Sequence, residues 1–491
     1  MEKINFKNIG LIALIFLVIE VLSFLAFSRP VLNGTILAIL SLVMVIVSAY
    51  RLEYGFLMLL SELFIGSMGH FFFINFTGGQ LPLRIAIWSA FMAVFLVKFI
   101  VQLIKDKKES SYWRNLRSFS GLKYFIILGV FITIGLINGF IRGHALGVIF
   151  SDFNSWLFFL LIIPAAVIYG GEGEEQRLRI GRLTNIFFVG ALWMSFKTLI
   201  FLFIFTHNSA IAPDIYTWLR KTLNGEMTPT LAGWPRIFIQ GQIYAGSAFF
   251  LSFWNNRGNF KIKNIFISGL FLSTLIISFS RSFWAGLAIA IFFSLIIVWR
   301  LQSFKKMIIS GIWLLASLVF GFIIIYAVAA FPYIYRVDNF GASFLDRVSN
   351  SNEAAVASRW SLLPALMKEI KKEPFLGQGY GATVTYRSSD PRVLQTNPNG
   401  IYTTYAFEWG YLELWLKLGL LGLAAYLWLL FGLVRSGIKN GLRTNRPLFF
   451  GLAAGLIFLV VTNIFTPYLN HPLGIGIVVL SSCLIRLNKI Y

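Results

Sequence analysis

Residues 277–286 read ISFSRSFWAG, and they join two apolar runs, 264–280 and 282–299, each near the length that crosses a bilayer. Arg281 therefore stands at the junction of two membrane helices, where a charge is costly unless it reaches water or meets an anion. Working outward from this junction, the same alternation of apolar run and short polar break fills the chain. Of 491 residues, 57% are hydrophobic, 17% aromatic and only 13% charged, and the mean hydropathy is +0.76, so no single soluble core could hide the apolar surface. The sequence reads as an all-α, polytopic integral membrane protein.

Spanning runs are expected at 9–28, 31–50, 55–75, 83–104, 121–141, 148–169, 184–206, 238–254, 264–280, 282–299, 307–331, 410–434, 447–466 and 472–487, about fourteen in all. The opening MEKINFKNIGLIALIFLVIEVLSFLAF has a charged head but no clear small-residue cleavage site, and reads as a retained first helix. Basic residues collect in alternate loops: at 3–7, Arg51, 105–117, 177–182, 257–263, 300–306, 435–446 and 486–489. By the positive-inside rule these loops and both termini face the cytoplasm. The net charge of +22 is thus an orientation signal, not a nucleic-acid footprint. Cys483 is the single cysteine, and His70, His144, His207 and His471 are widely spaced, so the chain carries no metal-ligand pattern and no cofactor motif.

Three parts follow: a bundle of about eleven helices over 1–331, a large extracytoplasmic loop over 332–409, and about three helices over 410–491. A shorter external segment is expected over 207–237. Within the large loop, RWSLLPALMKEIKKEPF places Trp360, Leu363, Met367 and Ile370 at helical spacing opposite Lys368, Lys371 and Lys372, an amphipathic helix that Pro364 should confine, kink or delay. The LGQGYG that follows reads as a turn; Gly377, Gly379 and Gly381 lack the strand before and the GK[ST] after them that a phosphate loop needs.

Arg281 lies at the outer end of its helix. Arg359 heads the amphipathic helix in the same external layer, and Arg236 in AGWPRIFIQGQ opens the next outward-side helix. A lone arginine at a helix end could simply snorkel. Three on the face where orientation signals disfavour them point instead to an anion, since guanidinium groups grip phosphate oxygens in pairs where water is partly excluded. A lipid diphosphate at the outer leaflet fits.

These residues also carry a resemblance. SRSFW at 280–284, SRWSLLPALMKEIKKEPFLGQGYG at 358–381 and EWGYLELWLKLGLLG at 408–422, with WPRIFIQGQIYAG at 234–246, resemble the successive signatures of the bacterial O-antigen ligase and polymerase superfamily over about residues 230–470. The resemblance implies a GT-C-like membrane glycosyltransferase of the bacterial cytoplasmic membrane with an extracytoplasmic site. An undecaprenyl-diphosphate-linked oligosaccharide would be the donor, and a glycan, lipid or protein hydroxyl the acceptor, attacking the anomeric carbon with inversion. Carried over by motif, Arg281 and Arg359 would bind the diphosphate, with Arg236 a third. At the family's histidine position stands Glu408, followed by Trp409 where the family has asparagine, while Tyr411 and Leu412 match. Glu408 acts as a general base if burial raises its pKa; otherwise it is a charge at a helix start favoured by the dipole. His471 in TPYLNHPLG is an alternative base.

Among intramembrane charges, Glu62 and Lys197 are expected to pair, Asp152 to touch sugar or acceptor, and Lys98 to snorkel. Trp234, Trp360, Tyr380, Tyr386 and Tyr402 would stack on sugars if they line a cleft. Two functions besides transfer remain open. A transporter or flippase of lipid-linked glycan would also want a basic outer cleft, but such proteins carry internal repeats that this sequence lacks; a structural subunit would leave the arginines without a purpose.

Overall fold

The computed structural model describes residues 6–77, 79–106, 111–119, 121–171, 173–230, 233–256, 260–332, 340–349 and 354–485. Lys3, Arg257, Arg486, Lys489 and residues 107–110 of the basic loops lie outside them, as do 333–339 and 350–353 of the expected large loop.

A helix overlaps each expected apolar run, but over 55–75 it stops at Gly66 and Phe73–Phe76 forms a strand. The first group is α1 (Phe6–Ala26), α2 (Pro30–Tyr50), α3 (Leu52–Gly66), α4 (Leu83–Asp106), α5 (Ser111–Ser118) and α6 (Leu122–Ile141). Then α7 (Leu146–Phe153) runs through a 3-10 segment, Asn154–Leu161, into α8 (Ile162–Tyr169), followed by α9 (Glu174–Thr206) and the short α10 (Ala212–Thr222). The third group is α11 (Ile243–Asn256), α12 (Ile262–Ile277), α13 (Arg281–Leu301) and α14 (Phe304–Ala330). Next come α15 (Phe340–Ser349), α16 (Ala354–Lys372) and α17 (Pro391–Thr396), then the closing α18 (Gly410–Thr444), α19 (Pro447–Thr462) and α20 (Pro472–Ile485). Among the described residues, eight apolar segments are long enough to cross a membrane, and four shorter apolar helices accompany them.

Three two-stranded antiparallel hairpins qualify the all-α expectation: β1 (Phe73–Phe76) with β2 (Gly79–Pro82), β3 (Glu226–Pro229) with β4 (Pro235–Phe238), and β5 (Val384–Arg387) with β6 (Ile401–Thr404). Each closes a connection between helices by pairing backbone groups that would otherwise be left without partners.

Burial sorts the helices. α20 is apolar all round and every one of its residues is buried, the mark of a helix enclosed by others. α2 and α14 turn Val31, Ile46 and Leu315 outward, a face suited to lipid. α11 packs so closely on α19 that a Cβ on Gly246 would fall 2.3 Å from the Phe458 ring, the small-residue contact by which membrane helices gain van der Waals attraction.

The expected Glu62–Lys197 pair does not form. Hairpin β1–β2 returns the chain so that Arg84 at the start of α4 meets Glu62, with Nε 2.9 Å from Oε2, while Arg84 Nη1 donates to the Ser67 carbonyl at 2.8 Å. Lys197 instead donates to Glu20 of α1 at 2.6 Å and to the Ile65 carbonyl at 3.0 Å, and Trp193 Nε1 donates to the same carboxylate. A buried charge takes the nearest opposite charge, and which is nearest is set by helix packing. Lys98 donates to the Ala49 carbonyl on α2.

The amphipathic helix is α16, but its buried stripe is Ser358, Leu362, Leu366 and Ile370, while Trp360 is exposed. The stripe packs on Ala382, Val384, Phe407 and Leu416, a small core of its own. Pro364 lies inside the helix without ending it; it sits on the exposed face, where water can meet the carbonyl that a proline leaves unpaired.

Candidate functional site

α12 ends in a turn made by its own serines. Ser278 Oγ donates to the Leu275 carbonyl at 2.6 Å and accepts the Ser280 N–H at 3.2 Å, while Phe279 takes a left-handed φ of 47°. This turn leaves two carbonyls at the negative end of the α12 dipole, and each is taken by an arginine: Arg236 Nε donates to Ser278 at 3.1 Å and Arg347 Nε to Phe279 at 3.1 Å. The next helix, α13, begins at Arg281 itself, so its positive end opens at the same place. Ser282 Oγ shares a 2.8 Å hydrogen bond with Thr466 Oγ1 and ties this end to the segment after α19.

Arg359 of α16 arrives from the other side. Its guanidinium is ion-paired with Glu408, and its carbonyl accepts Trp409 Nε1–H at 3.0 Å. Trp360 stands edge-on to Trp409 with ring centres 5.3 Å apart. A cleft of about 520 Å³ results, lined by Arg236, Arg281, Arg347, Arg359, Glu226 and Glu408, with Gln240 and Trp360 among its other walls. Four guanidinium groups and two carboxylates line it, a predominantly basic lining that suits a small polyanion.

The four residues expected from sequence thus line one cleft, Arg281 at its helix start as expected and Arg236 from a different element. Arg236 is on strand β4, not at a helix start, because residues 235–238 pair with β3. Arg359 is five residues inside α16. Glu408 has 51% of its side chain exposed and is held by Arg359, so the burial that would strengthen it as a base is absent. His471 Nδ1 accepts the Leu473 N–H at 3.3 Å, and burial, with the charge of Arg84 adding, lowers its pKa to about 3; its acceptor nitrogen is occupied in closing the turn before α20. Trp234 and Tyr380 are buried in packing contacts, and Tyr386 and Tyr402 pair with each other on the β5–β6 hairpin. Of the five aromatics expected from sequence, Trp360 lines the cleft.

Arg347 and Glu226 were not foreseen. Arg347 follows Phe344 and Leu345 in an amphipathic stretch, the same signal that singled out Arg359, but its neighbour Asp346 reads as a local partner.

Behind Glu408 lies a second constellation. α18 is broken at Gly419, whose φ of 73° is left-handed, and the LGQGYG segment lies in the break. There the Gln378 N–H donates to the Leu416 carbonyl at 2.7 Å, Gly379 to Lys417 at 3.2 Å and Tyr380 to Gly135 of α6 at 3.0 Å. A Cβ on Gly419 would lie 2.1 Å from the Phe375 carbonyl, and one on Gly379 would lie 2.3 Å from the Gly139 nitrogen. These glycines let three backbones touch. Beneath them Lys417 is ion-paired with both Asp152 and Glu413, all three buried. Asp152 also accepts the Gly381 N–H at 2.9 Å, and Glu413 accepts the Phe407 N–H at 3.3 Å, one residue before Glu408. Asp152 is thereby a structural anchor and does not face the cleft as expected.

A bundle of membrane-length helices with an arginine-lined cleft among them defines the class as polytopic membrane protein. Residues 266–427 of the 491 match the family model described as O-antigen ligase, which supports the O-antigen ligase superfamily for this stretch of the chain. The matched stretch contains Arg281, Arg347, Arg359, Glu408 and the Gly419 break; Arg236 precedes it. The chain is also similar to a biotin transporter BioY of Thermotoga maritima, 30% identical over 126 residues that make up 25% of this chain and 73% of that protein.

Proposed function

We propose that this protein is an inverting membrane glycosyltransferase that moves a glycan from an undecaprenyl-diphosphate carrier to an acceptor hydroxyl at the outer face of the bacterial cytoplasmic membrane. The observation that carries the reading is the convergence of Arg236, Arg281, Arg359 and Glu408, distant in sequence, on one cleft. The O-antigen ligase family that residues 266–427 match implies the donor and acceptor classes.

In this reading the donor diphosphate lies against Arg281 and Arg359 at the positive end of α13, with Arg236 completing the grip. The acceptor oxygen bonds to the anomeric carbon while the bond from that carbon to the diphosphate oxygen breaks. The electron pair leaves with the lipid diphosphate, and the guanidinium groups stabilise the charge that develops there. The acceptor proton passes to Glu408, which works in this reading as an exposed carboxylate and not as the buried base expected, taking the proton as bond formation acidifies the acceptor hydroxyl. Because Glu408 is paired with Arg359, a diphosphate that engages Arg359 frees the carboxylate, which links donor arrival to base availability. The acceptor pocket is bounded by Trp360 and Gln240.

The test is glycan transfer in proteoliposomes with a defined undecaprenyl-diphosphate oligosaccharide and a panel of acceptors, comparing the unaltered protein with Arg281→Ala, Arg359→Ala and Glu408→Gln. Transfer by the unaltered protein, reduced about 100-fold or more by each arginine change, supports the reading. The likeness to a transporter keeps one rival, movement of a lipid-linked glycan across the bilayer. Labelled lipid crossing without transfer to any acceptor would replace our reading with that one.

A further inference from the structure

A larger cavity lies beside the cleft, across α10. It has a volume of about 930 Å³, and its lining comes from the turn between α1 and α2, the first turns of α2, the β1–β2 hairpin and Lys221. Lys221 lies in the last turn of α10, three residues before Asn224, which lines the arginine cleft. The two cavities therefore open on the same end of the bundle.

The walls are of two kinds. Phe27, Val31, Ala38, Phe73 and Ile74 make an apolar groove continuous with the outward face of α2, where Val31 and Ile39 are exposed. At its head three features favour an anion. The first turn of α2, a helix of 21 residues, lines this cavity with Pro30 and Val31; Pro30 has no N–H and the Asn33 N–H donates to the Arg29 carbonyl, so the positive end of the dipole offers the N–H groups of Val31 and Leu32. Lys221 supplies a full charge, its ammonium 5.7 Å from the Phe27 ring centre. Asn33 is 1% exposed, and its Oδ1 accepts the Phe73 N–H at 2.7 Å. Its Nδ2 is buried and has no hydrogen-bond partner among the described residues, so no contact there offsets its desolvation.

We propose that this cavity is a binding site for one anionic phospholipid of the surrounding bilayer. Its phosphodiester is held by Asn33 Nδ2, Lys221 and the α2 N-terminus, and an acyl chain lies along the groove past Ala38. The charge argues for a monoanion: one ammonium and a helix end match a single phosphodiester charge, whereas the arginine cleft carries the surplus that suits a diphosphate. The apolar walls argue for a lipid over a free ion, because inorganic phosphate would leave them empty. The site stands independently of the transferase reading.

The experiment is lipid retention by the full-length protein, purified from nanodiscs of phosphatidylglycerol and phosphatidylcholine and measured by native mass spectrometry. One phosphatidylglycerol per chain is expected to survive where phosphatidylcholine does not. Lys221→Glu should reduce its retention at least tenfold, and Ala38→Trp, which fills the groove from its exposed side and leaves the charges intact, should do the same. The unaltered β1–β2 region, followed by hydrogen exchange, would show that both variants fold. Equal retention of the two lipids, or retention unchanged in both variants, would overturn the proposal in favour of ordinary boundary lipid. Displacement of the bound lipid by millimolar inorganic phosphate would overturn it in favour of a free-anion site.

Discussion

α18 begins beside one cluster of charges and breaks beside another, and the two are built differently. At its start Glu408 and Arg359 are 51% and 30% exposed, with a cleft in front of them. Two turns further on Lys417, Glu413 and Asp152 are 1%, 3% and 5% exposed and enclosed by backbone. An exposed pair contributes about 0–1 kcal/mol, so its members can exchange partners at little cost. A buried set is held because removing one member strands the rest, at about 3–5 kcal/mol. The buried cluster is the frame and the open pair is the part that can respond to a ligand. Glu413 connects them through its hydrogen bond from Phe407.

The strongest way to break this contrast is to close the gap in α18. Gly419→Val should abolish the fold, because the left-handed φ and the 2.1 Å approach to the Phe375 carbonyl both exclude a side chain. Size-exclusion chromatography in detergent should show no monodisperse protein. Gly432→Ala on the same helix, where a Cβ would meet Tyr124 at an ordinary 3.6 Å, should behave like the parent.

Next in size is Lys417→Met, which leaves Asp152 and Glu413 buried together without a cation. We expect a loss of about 3–5 kcal/mol, seen as a lower thermal midpoint. Adding Asp152→Asn and Glu413→Gln should recover part of the loss, since neutral amides need no counter-charge. No recovery would mean that Lys417 acts through packing and not through charge.

A smaller effect is expected from acid. The pKa of His471 is lowered to about 3 in the folded protein, chiefly by burial, against about 6.5 when unfolded. A depressed histidine pKa means that the unfolded state takes up the proton first, so stability is full above about 6.5 and falls as the pH drops toward about 3. His471→Gln, followed by thermal denaturation between those values, should flatten that part of the pH profile. His471 then belongs with the frame and not with the cleft; an unchanged profile would remove it from the frame.

How much of this was legible in the sequence follows the same division. Arg281, Arg359 and Glu408 stand out because each interrupts or borders an apolar run in the face opposite the basic loops, and such an anomaly is local. The helices themselves were readable for the same reason. Partners within the frame were not. Glu62 meets Arg84 only because the β1–β2 hairpin folds back, and Lys197 meets Glu20 only because α1 packs on α9. Periodicity says nothing of either. The i,i+4 pair Glu413–Lys417 in ELWLK was not singled out from the sequence, and its third member, Asp152, comes from 265 residues away. Likewise the glycines of LGQGYG suggested a turn, but their use, the close passage of α6 and the broken α18, needed the packed structure.

The smallest effect on stability sharpens the comparison most. A double-mutant cycle on Arg359→Ala and Glu408→Ala should give a coupling of no more than about 1 kcal/mol, because each group retains water when the other is removed. The same Arg359→Ala should nevertheless strongly weaken binding of an undecaprenyl diphosphate probe, since the guanidinium is then missing from the place where a diphosphate would lie. Glu408→Ala should tighten binding of the same probe, because it removes the carboxylate that competes for Arg359. A coupling of several kcal/mol, with probe binding unaffected by Glu408→Ala, would assign the pair to the frame. A weak coupling with opposite effects on the probe would make Arg359 a shared ligand, held by Glu408 until the donor takes it.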